Sequence, residues 1–213
     1  MGRGSSGGSN GSPSEGVNPN NIVNERDMIS ARNDENYEYV NQVLTVAQDM
    51  IDDYGDDVAI DGVFTMAEFK GKDANVLGCY DTANGNLTMN EKYMSSPNLD
   101  SVYDMSVSSG YHPSRGNKTG VQAVTSHEYG HRLTANVQKA MGEASFDVAA
   151  DKIVNQARKR TSFEKFSSKI SGYAKKSSAE TIAEAVADVY CNGKSAAKES
   201  QAIVNVINSY LKK

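Results

Sequence analysis

The stretch Thr125-Ser-His-Glu-Tyr-Gly-His-Arg132 contains two of the three histidines in the chain. His127 and His131 are four residues apart, and Glu128 directly follows the first of them. Residues four apart lie on one face of an α-helix with their Cβ atoms about 5–6 Å apart, so two imidazole rings can converge on one ion. The stretch therefore predicts a helix that carries a metal site.

Apolar residues at helical spacing extend this prediction to one helix from Val121 to Met141. Within it, the carboxylate of Glu128 can reach a metal-held water molecule without itself being a ligand. The pattern H-E-x-x-H is typical of zinc-dependent peptidases. The same five residues also occur by chance on surface helices, where their side chains are solvated or paired locally.

A catalytic zinc ion normally has three protein ligands and one open position, so a third ligand must come from elsewhere in the chain. Val137 stands six residues after His131, which excludes the extended pattern with a third histidine. The remaining histidine, His112, precedes a proline in Gly110-Tyr-His-Pro113, and we interpret it as a structural residue of a loop rather than a ligand.

Carboxylates on a second predicted helix, Ser178–Tyr190, offer the third ligand. Glu180, Glu184 and Asp188 are spaced by four and share one helix face. An acidic face of this kind is also typical of a solvated helix surface. Together with the two histidines of the first motif, however, it becomes a candidate ligand set.

At these residues the chain resembles a known family. The HEYGH motif followed by Tyr173, Glu180 and Glu184 looks like the catalytic domain of anthrax lethal factor and related gluzincin-type metallopeptidases. The resemblance implies one Zn²⁺ ion held by His127, His131 and Glu180. It also implies Tyr173 as a catalytic tyrosine and Glu184 as the carboxylate that holds the ring N–H of a ligating histidine.

Three upstream segments add a second resemblance. Leu77–Asp81, Asn86–Asn90 and Gly110–Pro113 resemble parts of the zincin domains found in phage head or other virion-associated proteins. This implies phage structural proteins as partners and a virion-associated location. Two departures stand against it: the chain lacks any recognisable portal or head-protein segment, and it lacks the rest of lethal factor.

The predicted function is that of a zinc endopeptidase acting on a polypeptide substrate. Glu128 serves as general base toward a metal-activated water molecule, and the Tyr173 hydroxyl stabilises the oxyanion. Two alternatives remain: a catalytically silent zincin-fold module with a structural or interaction role in a virion, and a toxin or effector protease. A purely structural zinc site has no need of a general base and more often closes its fourth position with Cys or His.

The composition of the chain excludes other classes of protein. Its 213 residues carry a formal net charge of −5, from 22 Lys and Arg against 27 Asp and Glu, so no basic excess indicates a nucleic acid or an anionic membrane as partner. No segment approaches the roughly 18–20 apolar residues of a membrane span, and the N-terminal segment lacks the apolar core of a Sec signal peptide. We expect a soluble protein, cytoplasmic or virion-associated.

The chain divides into a tail and one domain. Residues 1–21 are rich in Gly, Ser, Asn and Pro and predict a flexible tail, and residues 22–213 predict a single zincin-like domain. Cys79 and Cys191 form no C-x-x-C pair, so we predict two free thiols, with one disulfide between them as the alternative.

Hydrophobic periodicity predicts strands early and helices late. An amphipathic helix is predicted at residues 33–54, and β-rich runs follow at Val58–Phe64, Val76–Tyr80 and Asn86–Met89, the last two joined by a hairpin at Ala83-Asn-Gly85. Besides the two motif helices, further helices are predicted at Val148–Arg158, Phe163–Ile170 and Ala196–Leu211. This order favours an α+β, zincin-like fold with a small N-terminal sheet and a helical C-terminal half.

Overall fold

A computed structural model describes residues 2–5, 37–60, 64–67, 69–94, 99–161 and 164–212. Within these ranges the fold is α+β and mostly helical, which confirms the predicted class. The strands come before residue 91, and the long helices of the C-terminal half pack together behind them.

The α-helices are α1 (Tyr37–Tyr54), α2 (Glu91–Met94), α3 (Leu99–Ser108), α4 (Gly120–Met141), α5 (Phe146–Arg158), α6 (Ser178–Asn192) and α7 (Lys198–Leu211). The strands are β1 (Gly2–Ser5), β2 (Phe64–Ala67), β3 (Gly78–Asp81) and β4 (Asn86–Asn90). The predicted helices at 121–141, 148–158, 178–190 and 196–211 agree in place with α4, α5, α6 and α7. The helix predicted at 33–54 agrees with α1 from Tyr37 onward, and residues 33–36 lie outside the described ranges.

The sheet is built on the predicted hairpin. Strands β3 and β4 are antiparallel, with Asp81 opposite Asn86, while β1 adds parallel to β3 and β2 adds parallel to β4. The turn closes through the Gly85 N–H, which donates to the Asp81 carbonyl at 2.8 Å, and Gly85 has a φ of 73°. Glycine adopts this left-handed conformation without a Cβ clash, as the Asn-Gly signal predicts.

Helix α4 is the centre of the molecule. It begins at a capping box, in which Thr119 and Gln122 satisfy each other's backbone N–H groups, and it ends at Gly142, which has a φ of 69°. From Gly120 to Val137 all its residues are buried except the half-buried Gln122, because α1, α5, α6, α7 and strand β3 all contact it. A helix surrounded in this way places its polar motif inside the protein.

Helices α4 and α6 meet at a point of closest approach. A Cβ atom added to Gly130 would lie 2.5 Å from the Cα atom of Ala183, so only glycine fits there. Gly130 lies between the two histidines of α4, and Ala183 lies between Glu180 and Glu184 of α6. The contact therefore brings the histidine pair of α4 face to face with the glutamate pair of α6.

Apolar side chains surround this crossing and hold the helices together. Leu133, Ile153, Ile182, Ile203 and Ile207 are fully buried between α4, α5, α6 and α7. Each such side chain stabilises the fold by about 1.5–3 kcal/mol through the apolar surface it removes from water. The helical core thus fixes the geometry of the polar residues within it.

The strand predicted at Val58–Phe64 is wrong at its start. Val58 ends a short 3₁₀ helix, Asp56–Val58, and the strand β2 begins only at Phe64; residues 61–63 lie outside the described ranges. The Asp57 carbonyl accepts hydrogen bonds from Arg132 at 2.8 Å and from Asn136 at 2.7 Å. This segment is anchored to side chains of α4 instead of to a sheet.

The helix predicted at Phe163–Ile170 is also wrong over its described residues. Residues 164–166 form a turn, in which Lys165 has a φ of 53°, and a 3₁₀ helix follows at Ser167–Lys169. A left-handed residue interrupts the hydrogen-bond pattern of a right-handed helix. Helix α3, by contrast, has no counterpart among the predicted helices, since only Leu99 and Tyr103 mark its buried face.

The remaining predictions concern the tail, the cysteines and the membrane. Residues 2–5 form the edge strand β1, residues 6–21 lie outside the described ranges, and the boundary of the tail stays a prediction. Neither cysteine is in a disulfide, with Cys191 buried and Cys79 half-buried, so the alternative of a disulfide is not adopted. Among the described helices, none has both the length and the apolar character to cross a membrane.

Candidate metal site

Helices α4 and α6 bring together three of the predicted ligands. His127 and His131 project from α4, Glu180 projects from the first turn of α6, and one ligand atom of each lies within 4.8 Å of the other two. All three side chains are buried. A buried group of two imidazoles and one carboxylate at this separation could hold a metal ion.

The distances suit a small ion. Glu180 Oε2 lies 3.2 Å from His127 Nε2 and 3.7 Å from His131 Nε2. Around a tetrahedral zinc ion with bonds of about 2.0–2.1 Å, neighbouring ligand atoms are about 3.3 Å apart. The three side chains therefore need little movement to share one ion.

The same three atoms lack other partners. His127 Nε2, His131 Nε2 and Glu180 Oε2 are buried, and none of them has a hydrogen-bond partner among the residues that the structure describes. A buried polar atom without a partner costs about 1–3 kcal/mol. A shared metal ion would satisfy all three atoms at once.

Glu184, one turn after Glu180, fixes the orientation of His127. Its Oε1 accepts a hydrogen bond from His127 Nδ1 at 2.8 Å, which leaves the opposite ring nitrogen, Nε2, turned toward Glu180. Its Oε2 accepts from the Ser171 hydroxyl at 2.7 Å. The carboxylate thus lies behind His127, one of the candidate ligands.

The pKa values of Glu184 and His127 reflect the contacts of these side chains with their neighbours. Burial opposes ionisation of Glu184, but hydrogen bonds from His112 and His127 hold the pKa of its carboxyl well below the usual range. Burial lowers the pKa of His127, but the carboxylates of Glu180 and Glu184 outweigh burial and raise this pKa to about 10. A positive charge is therefore stabilised between the two carboxylates, at the place where a cation would bind.

The other two candidate ligands are held in the states that bind metals. Burial lowers the pKa of His131 to about 4, so its imidazole is neutral at neutral pH. Burial raises the pKa of Glu180, but the hydrogen bond with His127 reverses the effect, and the net shift is downward. Metal coordination requires a neutral imidazole and an ionised carboxylate.

Glu128 lies on the sheet side of α4. Its Oε2 accepts a hydrogen bond from the Tyr80 N–H of strand β3 at 2.9 Å, while its buried Oε1 has no hydrogen-bond partner among the described residues. Burial raises the pKa of this carboxyl to about 7. A carboxylate that is anchored by one oxygen and has a pKa near neutrality is suited to accept and return a proton.

Tyr173 opens the 3₁₀ helix Tyr173–Lys176, just before α6. Its buried ring lies 5.8 Å from the His127 ring, measured between centroids, and Lys176 Nζ lies 4.1 Å from the Tyr173 ring centroid. Burial raises the pKa of the Tyr173 hydroxyl well above its usual range, so the group stays protonated and able to donate.

Asp188, the third carboxylate of the predicted acidic face, lies away from the metal cluster. It accepts hydrogen bonds from the Ala197 N–H at 2.9 Å, from the Ser200 hydroxyl at 2.6 Å and from the Asn192 amide at 2.9 Å. Asp188 therefore fixes the start of α7. The three carboxylates have equal spacing on one helix face, but Glu180 and Glu184 lie at the metal cluster and Asp188 lies at the start of α7.

His112, which the sequence led us to interpret as a structural loop residue, lies at the site. It is 6 % exposed, and its Nδ1 lies 2.9 Å from Glu184 Oε1, the same oxygen that His127 contacts. These two partners are 72 residues apart in the chain, so no local spacing could reveal the contact. The available signal was the segment Gly110-Tyr-His-Pro113, which the sequence analysis had singled out.

Comparison of the chain with protein-family models, with curated proteins and with solved structures gave no match. Any assignment of function therefore depends on the residues and geometry of the site itself.

Proposed function

We propose that the protein is a zinc-dependent endopeptidase that hydrolyses peptide bonds of a polypeptide substrate. One observation carries the proposal: three buried ligand atoms without other partners converge beside a glutamate that has one anchored and one unpartnered oxygen. A metal site alone would account for the three convergent ligand atoms. The adjacent glutamate adds the general base that hydrolysis requires.

The donor set supports zinc as the ion. Two imidazoles and one carboxylate suit a borderline ion such as Zn²⁺ better than Mg²⁺ or Ca²⁺, which prefer oxygen ligands. His127, His131 and Glu180 would hold one ion and leave a fourth position open. When bound, the ion supplies a Lewis acid that lowers the pKa of water and polarises a carbonyl group.

The residues of the chain would then divide the remaining work. Glu128 would accept the proton of the attacking water molecule through Oε1, while the Tyr80 N–H keeps Oε2 in place. Glu128 would next return that proton to the nitrogen of the departing amine as the peptide C–N bond breaks. Tyr173 would donate its hydroxyl hydrogen to the substrate oxygen as negative charge develops there.

The two alternative functions differ in what they ask of Glu128. A silent zincin-fold module in a virion would need the metal ligands but no buried carboxylate with an unpartnered oxygen, which costs free energy to maintain. A toxin or effector protease would use the same chemistry on another substrate. The proposed partners, phage structural proteins, and the proposed cytoplasmic or virion-associated location rest on the resemblances in the sequence alone.

The test combines metal content with cleavage. Purified protein, stripped with a chelator and reloaded with Zn²⁺, would be analysed for bound metal and incubated with an unstructured test protein. We expect one zinc ion per chain and cleavage that depends on it. Glu128→Gln should keep the zinc ion and lose about 10²–10⁴-fold in kcat, the usual contribution of a general base.

The matched control is Glu164→Gln, the same chemical change at an exposed position away from the cluster. It should bind zinc and cleave as the unaltered protein does. Undiminished cleavage by Glu128→Gln would remove that residue from the mechanism. Zinc in both proteins without cleavage by either would favour the structural module, and the absence of bound zinc would overturn the metal site.

A further inference from the structure

We propose that His112 is a positioning residue of this site, one that holds Glu184 through a ring nitrogen and supports Tyr173 through its ring face. The inference rests on the proposed function and extends it to a histidine that the H-E-x-x-H pattern does not include. His112 lies between the two halves of the site, the metal cluster on one side and the candidate oxyanion donor on the other.

The contact with Glu184 is a directed hydrogen bond. An ionised carboxylate can only accept, so the Nδ1 of His112 must carry the proton that it shares with Glu184 Oε1 over 2.9 Å. His127 donates to the same oxygen over 2.8 Å, and Ser171 donates to the other. Two histidines are therefore held in register by one buried carboxylate.

The opposite ring nitrogen shows which feature of His112 matters. Nε2 is buried and has no hydrogen-bond partner among the described residues, a situation that costs about 1–3 kcal/mol. A phenyl ring of similar shape would avoid this cost. An imidazole at this position therefore costs free energy through its unpartnered Nε2, and the contact of its Nδ1 with Glu184 offsets that cost.

The ring face of His112 contacts the tyrosine half of the site. Its centroid lies 5.2 Å from that of Tyr173 at an interplanar angle of 42°, and Tyr103 stacks on it at 5.6 Å and 18°. Contacts of this kind between aromatic rings contribute about 0.5–1.5 kcal/mol beyond the area that they bury. The ring thus limits where the Tyr173 side chain can lie.

The backbone around the two residues is joined as well. The Gly172 N–H donates to the Gly110 carbonyl at 2.8 Å, and the Tyr173 N–H donates to the Tyr111 carbonyl at 3.0 Å. A Cβ atom added to Gly172 would lie 3.1 Å from the Gly110 oxygen, so the two segments approach closely. His112 and Tyr173 therefore lie on two segments that backbone hydrogen bonds join directly.

Two substitutions separate the two contacts. His112→Phe keeps a ring but removes the donor to Glu184, whereas His112→Asn keeps an N–H donor near the position of Nδ1 but removes the ring. We expect His112→Phe to weaken Zn²⁺ binding about tenfold, at the low end of the effect of residues that orient metal ligands, and to lower kcat at saturating zinc less than His112→Asn does. His112→Asn should bind zinc normally and lose about tenfold in kcat with little change in KM, because a misplaced catalytic group slows the reaction.

The measurements are the zinc dissociation constant, from competition of the metal-free protein with a chromophoric chelator, and kcat and KM on the test protein. The opposite pattern of the two variants supports the proposal. Equal losses in both quantities for both variants, or no change in either, would overturn it, because a residue that merely fills space would not separate them. If the unaltered protein binds zinc but cleaves nothing, the proposed function fails while the zinc affinities still test the contact with Glu184.

Discussion

Helix α6 carries three buried carboxylates at equal spacing, and its two ends use them differently. Glu180 and Glu184, in the first half, face the histidines of α4, whereas Asp188 faces the start of α7. The exposed fractions are similarly small, at 7 %, 1 % and 5 %. Neither spacing nor burial distinguishes the two ends, but the partners do: imidazoles at one end and backbone and hydroxyl donors at the other.

The comparison separates a part of the helix suited to chemistry from a part that holds the fold together. At the metal end, Glu180 Oε2 lacks a hydrogen-bond partner within the described residues. At the capping end, Asp188 accepts three hydrogen bonds. A side chain with a polar atom that has no hydrogen-bond partner is suited to bind a ligand. A side chain whose polar atoms all have partners is suited to stabilise the fold.

The largest effect should come from Glu180→Ala, which removes a ligand. Zinc binding of about 10–16 kcal/mol in four-ligand sites implies about 2.5–4 kcal/mol per ligand, or a loss of about 60- to 700-fold in affinity. The competition assay with a chromophoric chelator measures it. If Glu180→Ala keeps its affinity for zinc while Glu184→Ala loses it, the third ligand is the other carboxylate.

Asp188→Ala should act on stability instead. It would leave the Ala197 N–H, the Ser200 hydroxyl and the Asn192 amide without their acceptor, and the free energy of unfolding should fall by about 3 kcal/mol. Urea denaturation of the metal-free protein measures this loss. The zinc affinity of the folded variant should match that of the unaltered chain, and a shift of more than tenfold would mean that the two ends of α6 are coupled.

Glu184→Ala should have an intermediate effect on the metal. His127 would lose the acceptor of its Nδ1 proton, and substitutions of this kind typically weaken metal binding about 10–100-fold. Glu184→Gln is the matched variant, because its amide oxygen can still accept from the imidazole. It should weaken zinc binding less than Glu184→Ala does, and equal losses would show that the charge, not the hydrogen bond, is what His127 requires.

Ser171→Ala should have the smallest effect and so defines the outer limit of the site. Ser171 donates to Glu184 Oε2 and accepts from the Ala174 N–H at 3.0 Å. Its removal should lower the free energy of unfolding by about 1 kcal/mol, near the net value of one hydrogen bond. Thermal unfolding without zinc would measure the loss of stability, and unfolding with zinc would measure the zinc affinity. A loss of zinc affinity beyond threefold would mean that the loop of Ser171 is part of the metal site.

Local spacing accounts for what the sequence could predict. The four-residue interval placed His127 with His131 and Glu180 with Glu184, because both pairs lie on regular helices. The same reasoning predicted the hairpin at Ala83-Asn-Gly85 and the helical C-terminal half. These features depend on interactions between residues that are close in the chain.

The parts that could not be predicted depend on distant contacts. Asp188 has the same spacing as the two glutamates, and only the packing of α7 gives it another role. His112 reaches Glu184 across 72 residues, from a loop whose own sequence contains no ligand pattern. Val58 is apolar and β-branched, yet its segment is held by Arg132 and forms no strand. In each case tertiary contacts override the local preference.

The close approach of Gly130 to Ala183 bears on how the protein would bind a metal ion. The crossing is formed by main-chain atoms in the middle of both ligand pairs, so the ligand cage is assembled by helix packing rather than by the ion. Small zinc domains, by contrast, fold only when the ion binds. We therefore expect the protein to fold without zinc, to keep its architecture, and to bind the ion afterwards at the proposed site.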